Sequence, residues 1–541
     1  MRLGYAKMTH VVVLDGYIDE PASLGVPPYS SPHVRAAVGA AKDAGADVEV
    51  VTIDQARKGI KFSGDVLALM AGCAVPGRYL RGMPASAREV TSIASQFPGY
   101  RLLGGPAALE ASPPALFDFA ARRDAAAALY DLLTQGQAGD RWRSLEEWDR
   151  WLLLGAESVR RHPDFPQPLI AEIETYRGCV RFASGGCSFC VEPLKGMPVH
   201  RRPESIVSEV RELHRLGVRN FRLGAQTCFV SYMSHEDGSE TPRPNPQAVE
   251  ELLAGIGALG VDVLHLDNAN PAIIATHPEE ARAILRSIAR HCTGGNVLAL
   301  GMESADPAVV EANNLNSTAD QVLEAIRLIN QEGREMGPTG LPLVLPGLNF
   351  IVGLDGETAD TLRINMEFLR RVRREGLWLR RINVRQVMGI RREFRAGVSH
   401  SQFHKFKESV RMEIDRPMLR EVVPLGTRLT RVYTELREGK HTFGRQIGTY
   451  PLLVGFNYPL EIGRFVDCMV VDWGFRSITA VEHPLDLNTC PLAAIESLPS
   501  VGSKRAMRIM RGRPYSSLAD LKARLDDPKV ADGIAPFLTL R

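Results

Sequence analysis

Short apolar runs alternate with helix-period stretches from the N-terminus to about residue 400. Val11-Val12-Val13-Leu14 reads as a buried strand that ends at Asp15-Gly16. Residues 34–44 read as a helix and 48–53 as the next strand. Further strands are expected at 66–70 and 100–103, the last closing at Gly104-Gly105-Pro106. Parallel neighbours need a crossover between them, so this alternation predicts a doubly wound parallel sheet. A Rossmann-like domain is expected over residues 1–115, followed by a charged helical linker over 116–166.

The alternation resumes at about residue 167. Residues 169–175, 220–224, 263–266, 297–302, 348–352 and 382–386 read as strands, with a helix at 205–216. Six strand–helix units suit a partial (β/α)6 barrel over 167–410, with its site at the C-terminal strand ends. Between 411 and 484 the period shortens to two. Strands at 428–435, 451–456 and 466–472, separated by Gly and Pro, predict a small β-barrel. Residues 485–541 read as helical and carry Lys504, Arg505, Arg508, Arg511 and Arg513 close together. The expected fold class is therefore α/β with two small C-terminal modules.

Composition narrows the function classes. The 541 residues imply roughly three to five domains. With 65 basic and 63 acidic residues the net charge is +2, so no global field draws nucleic acid and any basic patch is local. No apolar run has the length of a membrane span and residues 1–10 lack a signal-peptide core, which reads as a cytoplasmic protein without a membrane partner. Three of the eight cysteines fall within twelve residues, a pattern that favours metal or catalysis over disulfides.

That cluster is Glu174-Thr175-Tyr176-Arg177-Gly178-Cys179, then Gly185-Gly186-Cys187-Ser188-Phe189-Cys190. Three thiolates on one loop can bind three irons of a cubane cluster. The fourth iron then accepts an outside chelating group. Zinc is the competing reading, with His200 as an imaginable fourth ligand, but zinc sites usually draw on two Cys or Cys/His pairs.

The loop resembles that of the radical S-adenosylmethionine (SAM) superfamily. The first gap, 180–186, is seven residues where three are usual. The resemblance implies one 4Fe-4S cluster on Cys179, Cys187 and Cys190, and SAM as cofactor. It places Phe189 near the SAM adenine. Gly224-Ala225-Gln226 resembles the family's Gly-Gly-Glu-like stretch, whose backbone receives the SAM amino group. Gly301-Met302-Glu303-Ser304 resembles the Gly-x-Glu-Ser segment of the methylthiotransferase and Elongator-like branch, implying that Glu303 contacts SAM. Ile351, in Ile351-Val352-Gly353-Leu354-Asp355-Gly356-Glu357-Thr358, would flank the adenine; Asp355 replaces the usual Pro. Glu357-Thr358 is expected to cap the next helix. Cys228 reads as core packing. Residues 266–271 and 385–386 would either line the substrate side or satisfy loop backbone.

The first domain resembles cobalamin-binding domains, yet the Asp-x-His-x-x-Gly loop is absent: Asp15-Gly16-Tyr17-Ile18-Asp19 has no His. Cobalamin is therefore not expected, although base-on binding stays open. Gly25-Val26-Pro27-Pro28-Tyr29 would help cover the site. The small barrel resembles the RNA-binding TRAM module, with Lys440 and Arg445 suited to phosphate. Leu498-Pro499-Ser500-Val501-Gly502 resembles a helix-hairpin-helix turn, implying phosphate contacts at Gly502, Lys504, Arg505 and Arg508. Nearly the whole chain resembles an archaeal group of radical SAM proteins carrying that module. The expected function is a radical SAM enzyme acting on RNA, plausibly tRNA, with a flavodoxin- or ferredoxin-type electron donor. Two alternatives are a radical SAM enzyme acting on a small molecule, lipid or peptide, and a non-catalytic zinc-containing nucleic-acid-binding protein. Methylthiolation is not expected, because the N-terminal domain has only Cys73 where a second cluster needs three cysteines.

Overall fold

A computed structural model describes residues 9–17, 29–72, 82–109, 115–395 and 397–540. Cys73, residues 18 and 19, and residues 25–28 lie outside that set. The chain forms two units: Met1–Cys292 with Glu311–Ser317 and Val387–Arg395, and Thr293–Val310 with Thr318–Gln386 and Ala396–Arg541.

The first unit opens with β1 (His10–Asp15), α1 (Pro32–Asp43), β2 (Asp47–Thr52), α2 (Ile53–Arg57), β3 (Val66–Met70), α3 (Ala87–Gln96), β4 (Tyr100–Gly104) and β5 (Phe119–Ala120). The strands form one parallel sheet in the order β2-β1-β3-β4-β5. Successive strand side chains point to opposite faces, which is why nearly unbroken apolar strands serve two layers. Val11, Val13, Ala68 and Met70 pack into one core, Val12, Leu14, Leu67 and Leu69 into the other.

The expected linker over 116–166 is instead part of this domain. It supplies β5 and the helices α4 (Ala125–Gln135) and α5 (Leu145–Leu154). Its apolar positions Ala127, Leu129, Trp148, Trp151 and Leu152 join the core beneath α1. Charge on the outer faces hid that stripe. Helices α1 and α5 meet at glycines: a Cβ on Gly39 would lie 1.8 Å from the Trp151 carbonyl oxygen, and one on Gly155 1.8 Å from that of Arg35.

The same unit continues through β6 (Ile170–Ile173), β7 (Tyr176–Arg177), β8 (Val199–His200), α6 (Pro203–Leu216), β9 (Asn220–Leu223), α7 (Pro246–Gly257), β10 (Val263–Leu266), α8 (Pro271–Thr276) and α9 (Pro278–His291). β10-β9-β6 is a parallel sheet. The Rossmann-like domain extends its edge, with Ser30 N donating to Ile170 O at 2.9 Å and Glu172 N to Ser30 O at 3.1 Å.

The second unit carries β11 (Asn296–Glu303), α10 (Pro307–Ala312, which runs into the first unit), α11 (Ala319–Gly333), β12 (Val344–Val352), α12 (Ala359–Arg374) and β13 (Arg381–Gln386). These strands form a second parallel sheet, β11-β12-β13. The six expected strands thus exist, three in each unit.

Residues 400–422 are helical, through α13 (His400–Val410), a π-helical turn (Arg411–Asp415) and α14 (Arg416–Val422). The small barrel therefore begins at 428, not 411. It comprises β14 (Arg428–Glu438), β15 (His441–Gln446), β16 (Leu453–Phe456), β17 (Phe465–Trp473) and β18 (Ser477–Glu482), closed in the order β14-β15-β16-β18-β17. The tail adds β19 (Leu485–Asp486), α15 (Leu492–Glu496), α16 (Ser503–Arg511), α17 (Leu518–Arg524), α18 (Pro528–Ile534) and β20 (Leu538–Thr539). Among the described residues no helix is long and apolar enough to cross a membrane.

Candidate active site

The three clustered cysteines follow β6, at the C-terminal edge of the first unit's parallel sheet. They are half-exposed, whereas Cys228, Cys292, Cys468 and Cys490 are buried. The long first gap folds as two turns: Phe182 N donates to Cys179 O at 3.0 Å and Gly185 N to Phe182 O at 3.1 Å. Gly185 and Gly186 then run at φ 80° and 63°, the left-handed region that glycine enters without cost. Cys190 N closes a turn onto Cys187 O at 3.1 Å.

Other segments hold the loop. Arg391 Nη1 donates to the carbonyls of Gly185, Cys187 and Cys190 at 2.9, 3.1 and 3.0 Å. Ser188 N and Oγ meet Asn313 O and Oδ1, both at 3.0 Å. Arg181 reaches the Cys187 sulfur at 3.3 Å. Burial, and then the neighbouring Glu192, Cys187 and Cys179, push the Cys190 thiol up to about 12. Among the described residues no three His, Cys, Asp or Glu side chains stand together at ligating separation. His200 does not join the cysteines. Its ring packs 4.7 Å from Tyr176 and 5.9 Å from Tyr232, and Nδ1 accepts the Met233 N–H. Burial pushes it down to about 4.

Gly224-Ala225-Gln226 sits just past β9. A Cβ on Gly224 would lie 2.5 Å from Arg222 Nε and 2.6 Å from Glu172 Oε1, so a larger residue would have to displace that ion pair. Gln226 is buried and serves the loop itself, accepting from Thr175 Oγ1 at 3.2 Å and donating to Leu223 O at 2.7 Å. Cys228 packs in the core, its sulfur accepting the Asn270 N–H at 3.1 Å.

In the second unit Glu303 ends β11 at a register shift, with φ 61°. Its Oε2 is buried without a hydrogen-bond partner. Burial, opposed by Arg385, pushes its carboxyl up to about 8. A strained, dry carboxyl group at a strand end is a costly feature for stability and a natural one for a site that receives a donor. Ile351 is half-exposed on the same face of β12 as Asn349. Glu357 accepts the Gly353 N–H at 2.5 Å, and burial pushes it up to about 7.

The expected phosphate contacts divide. Arg445 is a correction: it is buried on the strand face it shares with Tyr433, paired with Glu435 at 2.5 Å. A buried Arg reads like any basic residue in the sequence. Arg505 and Arg508 lean on Asp526 at 3.2 and 3.1 Å. Lys504, Arg511 and Gly502 are exposed. Gly502, at φ 45°, enters α16 without a side-chain cap. Sequence reasoning missed Arg181 and Arg391; the length of the gap itself was the available signal for the first.

The radical SAM superfamily model matches residues 173–369, the stretch from the end of β6 through α12. An uncharacterised protein of Methanocaldococcus jannaschii is 42% identical over 504 residues, 86% of this chain and 92% of that protein. This chain belongs to the radical SAM superfamily. Membership implies an enzyme, a 4Fe-4S cluster and SAM. A tRNA-2-methylthio-N(6)-dimethylallyladenosine synthase of Mycobacterium bovis is 27% identical over 215 residues, covering 39% of each chain. Among solved structures, the radical SAM methyltransferase TsrM from Kitasatospora setae, with cobalamin and a 4Fe-4S cluster bound, aligns over 70% of this radical SAM chain and 72% of its own. Its TM-score is 0.48 at 13% identity. The expectation against cobalamin finds no support in these comparisons.

The residues present fit the implied groups. Three half-exposed thiols on one clamped loop are the donor set of a cluster that leaves one iron open. The orphaned Glu303 oxygen can accept from a SAM ammonium or hydroxyl.

Proposed function

We propose that this radical SAM enzyme modifies RNA, with tRNA as the substrate class. Cys179, Cys187 and Cys190 would hold the cluster. With SAM and one electron from a flavodoxin- or ferredoxin-type donor, such a cluster supplies reductive cleavage to methionine and a 5′-deoxyadenosyl radical, which abstracts hydrogen. The chain's own part is to position and shield. The backbone of Gly224 to Gln226 would receive the SAM amino group, and Phe189 would offer apolar surface to adenine; Glu303 and Ile351, in the second unit, are the remaining proposed SAM contacts.

The observation that carries the RNA reading is the basic start of α16. Its leading N–H groups follow an uncapped Gly502 and Lys504 stands exposed in its first turn, with Arg508 and Arg511 exposed in its last. Phosphate suits that combination of oriented N–H groups and cations. The partial similarity to a tRNA-modifying synthase supports the same substrate class. The decisive comparison is the modified-nucleoside profile of a deletion strain against wild type. Loss of one modified nucleoside is expected; an unchanged profile would sink the RNA reading while leaving the radical chemistry intact.

A further inference from the structure

The seven-residue first gap has a use in this fold. Its second residue, Arg181, is only 5% exposed and touches a cluster cysteine. We infer that Arg181 is a positioning residue whose guanidinium donates to the Cys187 sulfur and thereby sets how readily a cluster held there accepts an electron. The inference rests on the reading that Cys179, Cys187 and Cys190 carry that cluster.

Several contacts fix the guanidinium. Nη1 donates to the Cys187 sulfur at 3.3 Å and to the Asn314 carbonyl at 2.8 Å. Nη2 donates to Asn314 Oδ1 at 2.8 Å, and Nε to Glu240 at 2.8 Å. Asn314 stands in the left-handed region, φ 47°, a conformation that Asn tolerates better than most residues. From there its amide returns two bonds to the inserted turns, at Gly186 O (3.0 Å) and Ser184 O (3.3 Å). Arg181 and Asn314 thus hold each other and the turns between Cys179 and Cys187. A three-residue gap offers no room for these turns.

An arginine stays protonated under all working conditions. Donation to a cluster sulfur stabilises the more negative, reduced form, and hydrogen bonds to the sulfurs are among the features that set cluster potentials. At 5% exposure little solvent screens the effect. Lysine cannot replace the fork, because one ammonium does not reproduce the planar donors that meet sulfur, carbonyl and amide oxygen together.

The test is an EPR-monitored redox titration of the anaerobically reconstituted full chain without SAM. Arg181→Gln should lower the reduced-to-oxidised ratio about tenfold at a given potential, a midpoint shift of about 59 mV to more negative values for one electron. Arg181→Lys should fall between Gln and wild type. A Gln variant that keeps its iron and the wild-type midpoint overturns the inference. If that variant holds no iron, wild type labelled with 15N-arginine decides: pulsed EPR of the reduced cluster should show an arginine nitrogen coupling that persists in Arg391→Lys. A reduced cluster without that coupling overturns the inference while the cluster reading stands. A wild-type protein that takes up no iron overturns both.

Discussion

Arg35 and Glu209, 174 residues apart, form an ion pair at 2.9 Å with both side chains closed off from solvent. The same carboxylate holds Arg201 at 2.6 Å, and Arg201 reaches Asp149 at 3.0 Å. One acid on α6 thus ties the doubly wound domain to the sheet that leads into the cysteines. Removing it leaves two buried guanidiniums facing each other. Glu209→Ala should cost about 3–5 kcal/mol. Urea unfolding followed by tryptophan fluorescence checks this, since Trp148 and Trp151 lie in the adjoining core. A loss below about 1 kcal/mol would mean that the pair is dispensable.

Glu303 predicts a pH dependence. Its carboxyl is raised from 4.5 to about 8, so the folded chain keeps a proton that the unfolded chain releases within that window. Stability then falls as pH rises from about 4.5 to about 8, by up to about 1.4 kcal/mol per unit, and levels off above. Glu303→Gln removes this slope. Its stability relative to wild type should grow between pH 5 and pH 8, read as the urea midpoint at each pH. The same variant should bind SAM about tenfold more weakly, by calorimetry, for the loss of one charge-assisted hydrogen bond.

Anaerobic reconstitution should give about four irons and four sulfides per chain, and reduction in the presence of SAM should release 5′-deoxyadenosine. Cys179→Ala, Cys187→Ala and Cys190→Ala should each abolish both the brown chromophore and SAM cleavage. A Cys187→Ala protein that still cleaves SAM would exclude these ligands. Zinc at one per chain, with no iron taken up, would favour the zinc reading.

Arg445 and Lys504 should separate stability from binding. Arg445→Met removes the ion-pair partner of Glu435 and should destabilise the small barrel by about 3–5 kcal/mol without a specific effect on RNA. Lys504→Glu combined with Arg511→Glu should leave the melting temperature within about 2 °C and weaken RNA binding. It should also flatten the salt dependence by roughly 0.7 per lost phosphate contact. Filter binding at two salt concentrations reads both quantities.

Much of the fold was legible because its strands are short, apolar and evenly spaced. Val66–Met70 and Val263–Leu266 fall at the expected bounds, and β12 differs by beginning at Val344 rather than 348. Residues 116–166 misled because α5 shows charge outward and hides Trp148 and Trp151 inward. The cysteines announced themselves by type and clustering. Asn314 and Arg391 did not, since a residue that grips a loop from 120 or more positions away leaves no local period, and Arg181 was signalled only by the length of the gap that holds it. Arg445 failed for the opposite reason: its local context looked basic and exposed, and the pairing that buries it comes from Glu435 on the neighbouring strand.

The cysteine loop is gripped by two short excursions of the chain, Glu311–Ser317 and Val387–Arg395. A polypeptide stopped at Cys292 would lose Asn313, Asn314 and Arg391 together, and with them the contacts that shape the turns before Cys187. On the ribosome the cysteine loop is therefore made long before it can be finished. Some two hundred residues must still emerge before Arg391 arrives. The β-barrel and the helical tail come after that point, so the grip is complete before either is made.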